Sequence, residues 1–187
     1  MEDVMGHNGV SAILNFTGLR NWVGHYPPED LEKHVDFSDV STILGGLEDM
    51  YGPWGSRAIA RRSGWQTFHG LLPEFGRLAG LEELVGGSMP LLKKLQIGLP
   101  SIARTLDEMS DQESSVEESD DAFVFRILRC PYCWGRKSDR AICHPVGGFL
   151  EEALRWISGG STFDVVETRC RALGDEACEF RIGKTPL

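Results

Sequence analysis

The stretch Glu167-Thr-Arg-Cys170-Arg-Ala-Leu-Gly174-Asp-Glu-Ala-Cys178-Glu-Phe180 contains the features that decide the fold. A turn at Leu173-Gly174-Asp175 between two strand-like runs predicts a β-hairpin. Cys170 and Cys178 flank this turn and can approach one another. Glu167 lies three residues before Cys170, and a bulge or its long side chain can bring the carboxylate to the same point.

The hydrophobic period changes once along the rest of the chain. Before residue 114 the apolar residues recur at helical spacing, and after it short strand-like runs dominate. The sequence therefore predicts an α+β fold in which N-terminal helices pack on a C-terminal antiparallel sheet of about four strands. We expect a single domain over residues 1–187, with a helical part over about 1–113 and an α/β part over about 114–187. The predicted helices are 40–50, ended by Gly52-Pro53, about 55–72, 92–109 and 146–157, and the predicted strands are 114–118, 123–129, 163–171 and 179–182.

Composition and charge exclude several classes of function. The 187 residues carry a net charge of −9, and the segment 107–121 has eight acidic residues and no Lys or Arg. The rest is nearly balanced, so no basic patch is available and we expect no nucleic-acid partner. There is no apolar run near the roughly 18 residues of a membrane span and no signal-peptide pattern. We therefore expect a cytoplasmic protein without a membrane span.

All five cysteines lie in the last third of the chain. A cytosolic protein keeps its thiols reduced, so this clustering indicates metal binding or thiol chemistry rather than disulfides. Cys143 precedes the predicted helix 146–157 and adds a third sulfur to the hairpin pair. Thiolates together with the Glu167 carboxylate are a donor set that suits zinc.

The remaining two cysteines form the motif Cys130-Pro131-Tyr132-Cys133. Three interpretations are open for it. C-P-Y-C is a redox motif in isolation, but here it follows a late strand and does not open a long helix. The pair can instead join the metal cluster, or remain a reduced pair on the surface.

The segment Cys143-His-Pro-Val-Gly-Gly-Phe-Leu-Glu-Glu-Ala-Leu and the hairpin pattern E-x-x-C-x-A-x-G-x-x-x-C-x-F together resemble the 4-vinyl reductase (V4R) domain family, over about residues 114–184. That family includes the effector-sensing domains of phenol- and xylene-responsive activators. The resemblance implies one structural zinc on the hairpin, here with two extra cysteines in the chain. The implied ligands are Cys143, Glu167, Cys170 and Cys178, with Cys130 and Cys133 as alternatives.

Three functions are compatible with this resemblance. The first is a zinc-stabilised domain that binds a hydrophobic, aromatic or tetrapyrrole ligand as sensor, carrier or chaperone. The second is an accessory factor or reductase of chlorophyll-type tetrapyrrole metabolism. The third is a ligand-free dimeric interaction subunit. No nucleotide-binding, nucleophile-elbow or zinc-protease motif occurs, so catalysis has no support beyond the family's name.

A hydrophobic ligand would need apolar walls, and the predicted helices offer them. We expect the predicted helices 92–109 and about 55–72 to form the sides of a pocket and the sheet to form its floor. Ordinary core packing is the competing interpretation. We also expect a homodimer through the N-terminal helices. The predicted pocket residues are Trp65, Phe68, Leu92, Leu95, Leu99, Ile102, Phe123 and Phe125.

Overall fold

Four antiparallel strands form one sheet in the order β1-β2-β4-β3. A computed structural model describes residues 1–28, 30–85 and 88–187. The α+β class and the strand count predicted from the sequence are confirmed. The strands are β1 (Ser114–Glu118), β2 (Ala122–Ile127), β3 (Val165–Arg169) and β4 (Cys178–Gly183).

One face of the sheet is apolar because the side chains of β2 and β4 alternate. Phe125 pairs with Phe180 and Phe123 with Ile182, and all four are buried. Val124 and Arg181, which lie between these pairs, are only partly buried and lie on the opposite face. The same register pairs Ile127 with Cys178, so the core face of the sheet ends at a cysteine.

The apolar face packs against helices from both parts of the chain. Residues of α2, α4, α5 and the sheet share one continuous core. Within the described residues no helix is long and apolar enough to cross a bilayer. The helices are α1 (Glu2–Phe16), α2 (Phe37–Leu78), the short α3 (Glu82–Val85), α4 (Leu91–Met109) and α5 (His144–Ser158).

The predicted break at Gly52-Pro53 is present inside α2. Gly52 has φ 69° and ψ 172°, and helical geometry resumes after it. A side chain at this positive φ would be strained, so glycine is the residue that permits the break. The second half of α2 runs on to Leu78, six residues beyond the predicted end. Pro100, in contrast, lies within α4 without ending it.

Two glycines allow α2 and α5 to cross with their backbones in contact. A Cβ on Gly64 would lie 2.1 Å from the carbonyl oxygen of Pro145, and one on Gly148 would lie 2.0 Å from that of Arg61. Beside the crossing, the Arg61 guanidinium pairs with the Glu151 carboxylate in a two-pronged contact. This crossing fixes the start of α5, where Cys143 lies.

Candidate metal centre

Cys143 is the residue immediately before α5, so its position follows from the helix crossing. Its Sγ is fully buried, and its backbone N–H donates to Oε2 of Glu167 at 2.9 Å. Cys143 and Glu167 are 24 positions apart in the sequence. The fold brings them into direct contact.

Cys170 and Cys178 flank the hairpin as predicted. Between them lie a single 3-10 turn, Arg171–Leu173, and Gly174 at φ 103°. Asp175 accepts a hydrogen bond from the Cys170 backbone N–H at 2.9 Å, which holds the turn closed. The Arg171 N–H points at the sulfur of Cys178, at 3.4 Å.

Cys130 and Cys133 lie in the same cluster. A short 3-10 helix, Pro131–Cys133, turns both side chains inward, and they are only 1% and 3% exposed. The interpretation of this pair as surface thiols is therefore wrong. Burial against three other cysteines also distinguishes the pair from an accessible redox motif, which needs a thiolate that partners can reach.

The distances between sulfurs match those of a tetrahedral metal site. Sγ of Cys143 lies 3.5 Å from that of Cys130, 3.6 Å from that of Cys178 and 3.8 Å from that of Cys170. Cys133 lies 3.5 Å from Cys178. An ion with Zn–S bonds of about 2.3 Å holds its sulfurs about 3.8 Å apart. These thiols are therefore arranged as metal ligands rather than as a disulfide framework.

Glu167 reaches the cluster through an irregularity in the sheet. The register of β3 on β4 shifts between Glu167 and Arg169, which is the bulge that the sequence allowed for. Oε1 of Glu167 is buried without a hydrogen-bond partner. Burial raises the pKa of Glu167 to about 9, and the charge of Cys170 adds to the rise. A cation beside this oxygen would compensate its burial and keep the carboxylate ionised.

The cluster contains two sets of four donor residues. Within each set, the four donor atoms all lie within 4.8 Å of one another. One is the predicted set of Cys143, Glu167, Cys170 and Cys178, and the other contains Cys130, Cys133, Cys143 and Cys178. Sulfur and carboxylate donors that are buried at this spacing fit a divalent metal ion. The cluster can therefore hold a metal ion, and both the predicted and the alternative residues lie in it.

Residues 123–184 match the family model of the V4R domain. This stretch, about a third of the chain, is similar to V4R domains. The match spans β2 to the end of β4 and includes all six candidate ligands. A comparison with curated protein sequences finds no significant match.

Solved structures with the same fold cover the helical part as well. An H-NOX protein from S. oneidensis in the Fe(II)NO ligation state is 13% identical, with a TM-score of 0.60 over 100% of this chain and 94% of that one. The phenol-responsive sensory domain of the activator PoxR, with phenol, is 14% identical, with a TM-score of 0.54 over 80% and 74%. The trafficking protein particle complex subunit 3 from Naegleria fowleri, bound to palmitic acid, is 15% identical, with a TM-score of 0.51 over 96% and 97%. At these identities the likeness shows the fold alone.

The predicted pocket residues have three different environments. Six of the eight lie in the one buried core that α2, α4, α5 and the sheet share. Leu92 is 43% exposed. Trp65 is half-buried at the helix crossing, where its indole N–H donates to Glu151 at 3.0 Å. The six core residues are Phe68, Leu95, Leu99, Ile102, Phe123 and Phe125.

An open cleft of about 450 Å³ lies next to the cysteine cluster, between α2, the start of α5 and β3. Glu167, His144 and Arg57 line it together with Trp54, which is 79% exposed. Burial lowers the pKa of His144 to about 4, and the positive charge of Arg57 adds to this, so the imidazole is neutral at pH 7. Sequence reasoning missed this cleft. Its one local signal was a tryptophan immediately after the Gly52-Pro53 break.

Proposed function

We propose that this protein is a zinc-stabilised domain that binds a hydrophobic small molecule and serves as a sensor, carrier or chaperone for it. One observation supports this proposal above all. Over most of this chain, the fold matches a sensory domain solved with phenol and a subunit solved with palmitic acid. The helical part and the α/β part together form the ligand-binding unit in this proposal. Because a shared fold can serve different functions, ligand binding has to be tested on this chain's own residues.

Zinc is the ion that we propose for the cluster. Soft thiolates in tetrahedral arrangement favour it, and hard ions such as Mg²⁺ and Ca²⁺ prefer oxygen ligands. Four protein ligands leave no position for a water, so the role is structural. All five cysteines are free and buried, which suits a reducing compartment, and we propose a cytoplasmic location on that ground.

Two locations for the ligand follow from the structure. The predicted site lies in the buried core around Leu95, where a ligand has to displace packed side chains. The cleft beside Trp54 already offers about 450 Å³, which lies in the range of small-molecule sites. We propose the predicted site, and the cleft is favoured as a second candidate by its open volume.

Titration with a fluorescent naphthalene probe tests ligand binding and separates the two sites. Leu95→Trp fills the predicted site, and we expect it to weaken probe binding about tenfold or more, a loss of roughly 1.4 kcal/mol. Ile97→Trp adds the same indole at a position of the same helix that is 39% exposed and lies outside the predicted site, and it should leave binding unchanged. If Trp54→Ala weakens binding and Leu95→Trp does not, the ligand site is the cleft. If neither the unmodified protein nor any of the three variants binds the probe, the binding function is contradicted and an interaction subunit is favoured.

We also propose a homodimer through the N-terminal helices. Phe16 at the end of α1 is 59% exposed, and Met50 and Tyr51 on α2 are 39% and 44% exposed. Covering such side chains removes apolar area from water. Light scattering should give twice the chain mass of 20.8 kDa, and Phe16→Asp should shift the protein towards the monomer. Leu187→Asp, at an equally apolar position 84% exposed at the other end of the chain, serves as the control. A mass of 20.8 kDa for the unmodified protein contradicts the dimer.

A further inference from the structure

The two donor sets in the cysteine cluster are related in a specific way. They share Cys143 and Cys178, and each adds two donors of its own. We propose that the cluster binds two zinc ions, with the thiolates of Cys143 and Cys178 bridging them. This inference rests on the proposed zinc binding and adds a second ion to it. Cys130 and Cys133 complete one site, and Glu167 and Cys170 complete the other.

The distances between sulfurs support two tetrahedra that share an edge. The shared edge, from Cys143 to Cys178, is 3.6 Å long. On one side of it Cys130 and Cys133 each lie 3.5 Å from one of the bridging sulfurs. On the other side Cys170 lies 3.8 Å from Cys143. Each length is close to the roughly 3.8 Å edge of a tetrahedral zinc–thiolate site.

A single ion would leave buried donors without a partner on either choice of ligands. If the ion takes the four cysteines of one set, Oε1 of Glu167 stays buried and unpaired. If it takes the set that includes Glu167, Cys130 and Cys133 remain 1% and 3% exposed with no ligand role. Two ions use all six donors, and burying an unpaired polar group costs free energy.

The formal charge of the two-ion site also supports the proposal, because it equals that of a common zinc site. Five thiolates and one carboxylate carry a formal charge of −6, which two divalent ions reduce to −2. That is the charge of an ordinary site of four cysteines and one zinc. Backbone N–H groups add support from outside the ligand shell, because Cys143 donates to Glu167 at 2.9 Å and Arg171 to Cys178 at 3.4 Å. Such outer contacts orient metal ligands.

Native mass spectrometry of the whole chain, purified under reducing conditions and loaded with Zn²⁺ alone, tests the proposal. We expect two ions per chain. The double variant Cys130→Ser/Cys133→Ser should keep one ion, and so should Glu167→Gln/Cys170→Ser, since each removes the ligands of one site only. Co²⁺ replacement adds a readout that does not depend on the variants, because bridging thiolates couple the two spins and the paramagnetic signal falls as the second equivalent binds.

One ion per chain in the unmodified protein overturns the two-ion inference and leaves the proposed zinc domain intact. One ion that survives in only one of the two double variants overturns it in the same way and identifies the ligand set. No ion at all overturns both the inference and the proposed zinc binding. Uncoupled Co²⁺ spins at two equivalents also contradict it, since they would place the second ion outside the shared edge.

Discussion

Gly148→Ala is expected to destabilise the domain by about 3 kcal/mol, the upper end of ordinary overpacking, and to lower its Tm by roughly 10 °C. The new Cβ would lie 2.0 Å from the carbonyl oxygen of Arg61 and 2.9 Å from its carbonyl carbon. Backbone cannot rotate aside as a long side chain can, so α2 and α5 must separate. Thermal unfolding followed by circular dichroism measures the effect.

The adjacent glycine provides the control. A Cβ on Gly147 meets nothing within 4 Å, and alanine in a helix is favoured over glycine by about 0.5–1 kcal/mol. Gly147→Ala should therefore leave the Tm unchanged or raise it slightly. Gly64→Ala, on the other side of the crossing, should behave like Gly148→Ala because its Cβ would lie 2.1 Å from the carbonyl oxygen of Pro145. Equal Tm values for the 147 and 148 variants would contradict a close backbone crossing.

The strands and the helix break could be predicted because their signals are local. The alternation of Phe123, Phe125 and Ile127 defines β2 without reference to the rest of the chain. Gly52-Pro53 interrupts α2 through its own backbone preferences. The hairpin between β3 and β4 is equally local, since its turn lies between the two cysteines that it brings together. The ends of helices were predicted less well, since α2 ends at Leu78, six residues beyond its predicted end.

The cysteine cluster could be predicted only in part, because its candidate ligands come from four separate segments. The hairpin spacing and the resemblance indicated Cys170 and Cys178 correctly as neighbours. Nothing in the spacing of Cys130 and Cys133 showed that they would turn inward, and that depends on the short 3-10 helix between them. The crossing at Gly64 and Gly148 was also not foreseen, since a glycine in a helical pattern gives no sign of which backbone it will meet. The position of Cys143 follows from that crossing.

Removal of the proposed zinc is expected to have the largest effect on this protein. Structural zinc contributes about 10–16 kcal/mol of binding free energy in zinc-finger peptides, and a whole domain is stable by only about 5–15 kcal/mol. A chelator should therefore unfold the region between β2 and β4, where the cluster replaces part of the apolar core. Native thiol labelling measures this directly. All five cysteines are buried, so we expect them to be protected before chelation and to react after it.

The effect of substituting one candidate ligand on bound zinc and on Tm should depend on whether the residue belongs to one donor set or to both. Cys143 belongs to both sets, whereas Cys170 belongs to one and Cys130 to the other. Cys143→Ser leaves neither set complete and places a hydroxyl in a site that is fully buried, so we expect loss of all bound zinc and of the cooperative thermal transition. Cys170→Ser and Cys130→Ser each leave one complete set and should retain zinc with a smaller fall in Tm. If chelation exposes no thiol, or if Cys143→Ser unfolds at the same temperature as Cys170→Ser, the cluster is not what stabilises this part of the fold. Its five thiols would then be apolar core residues, and the stability of the hairpin would come from the packing of Phe180 and Ile182 against the helices.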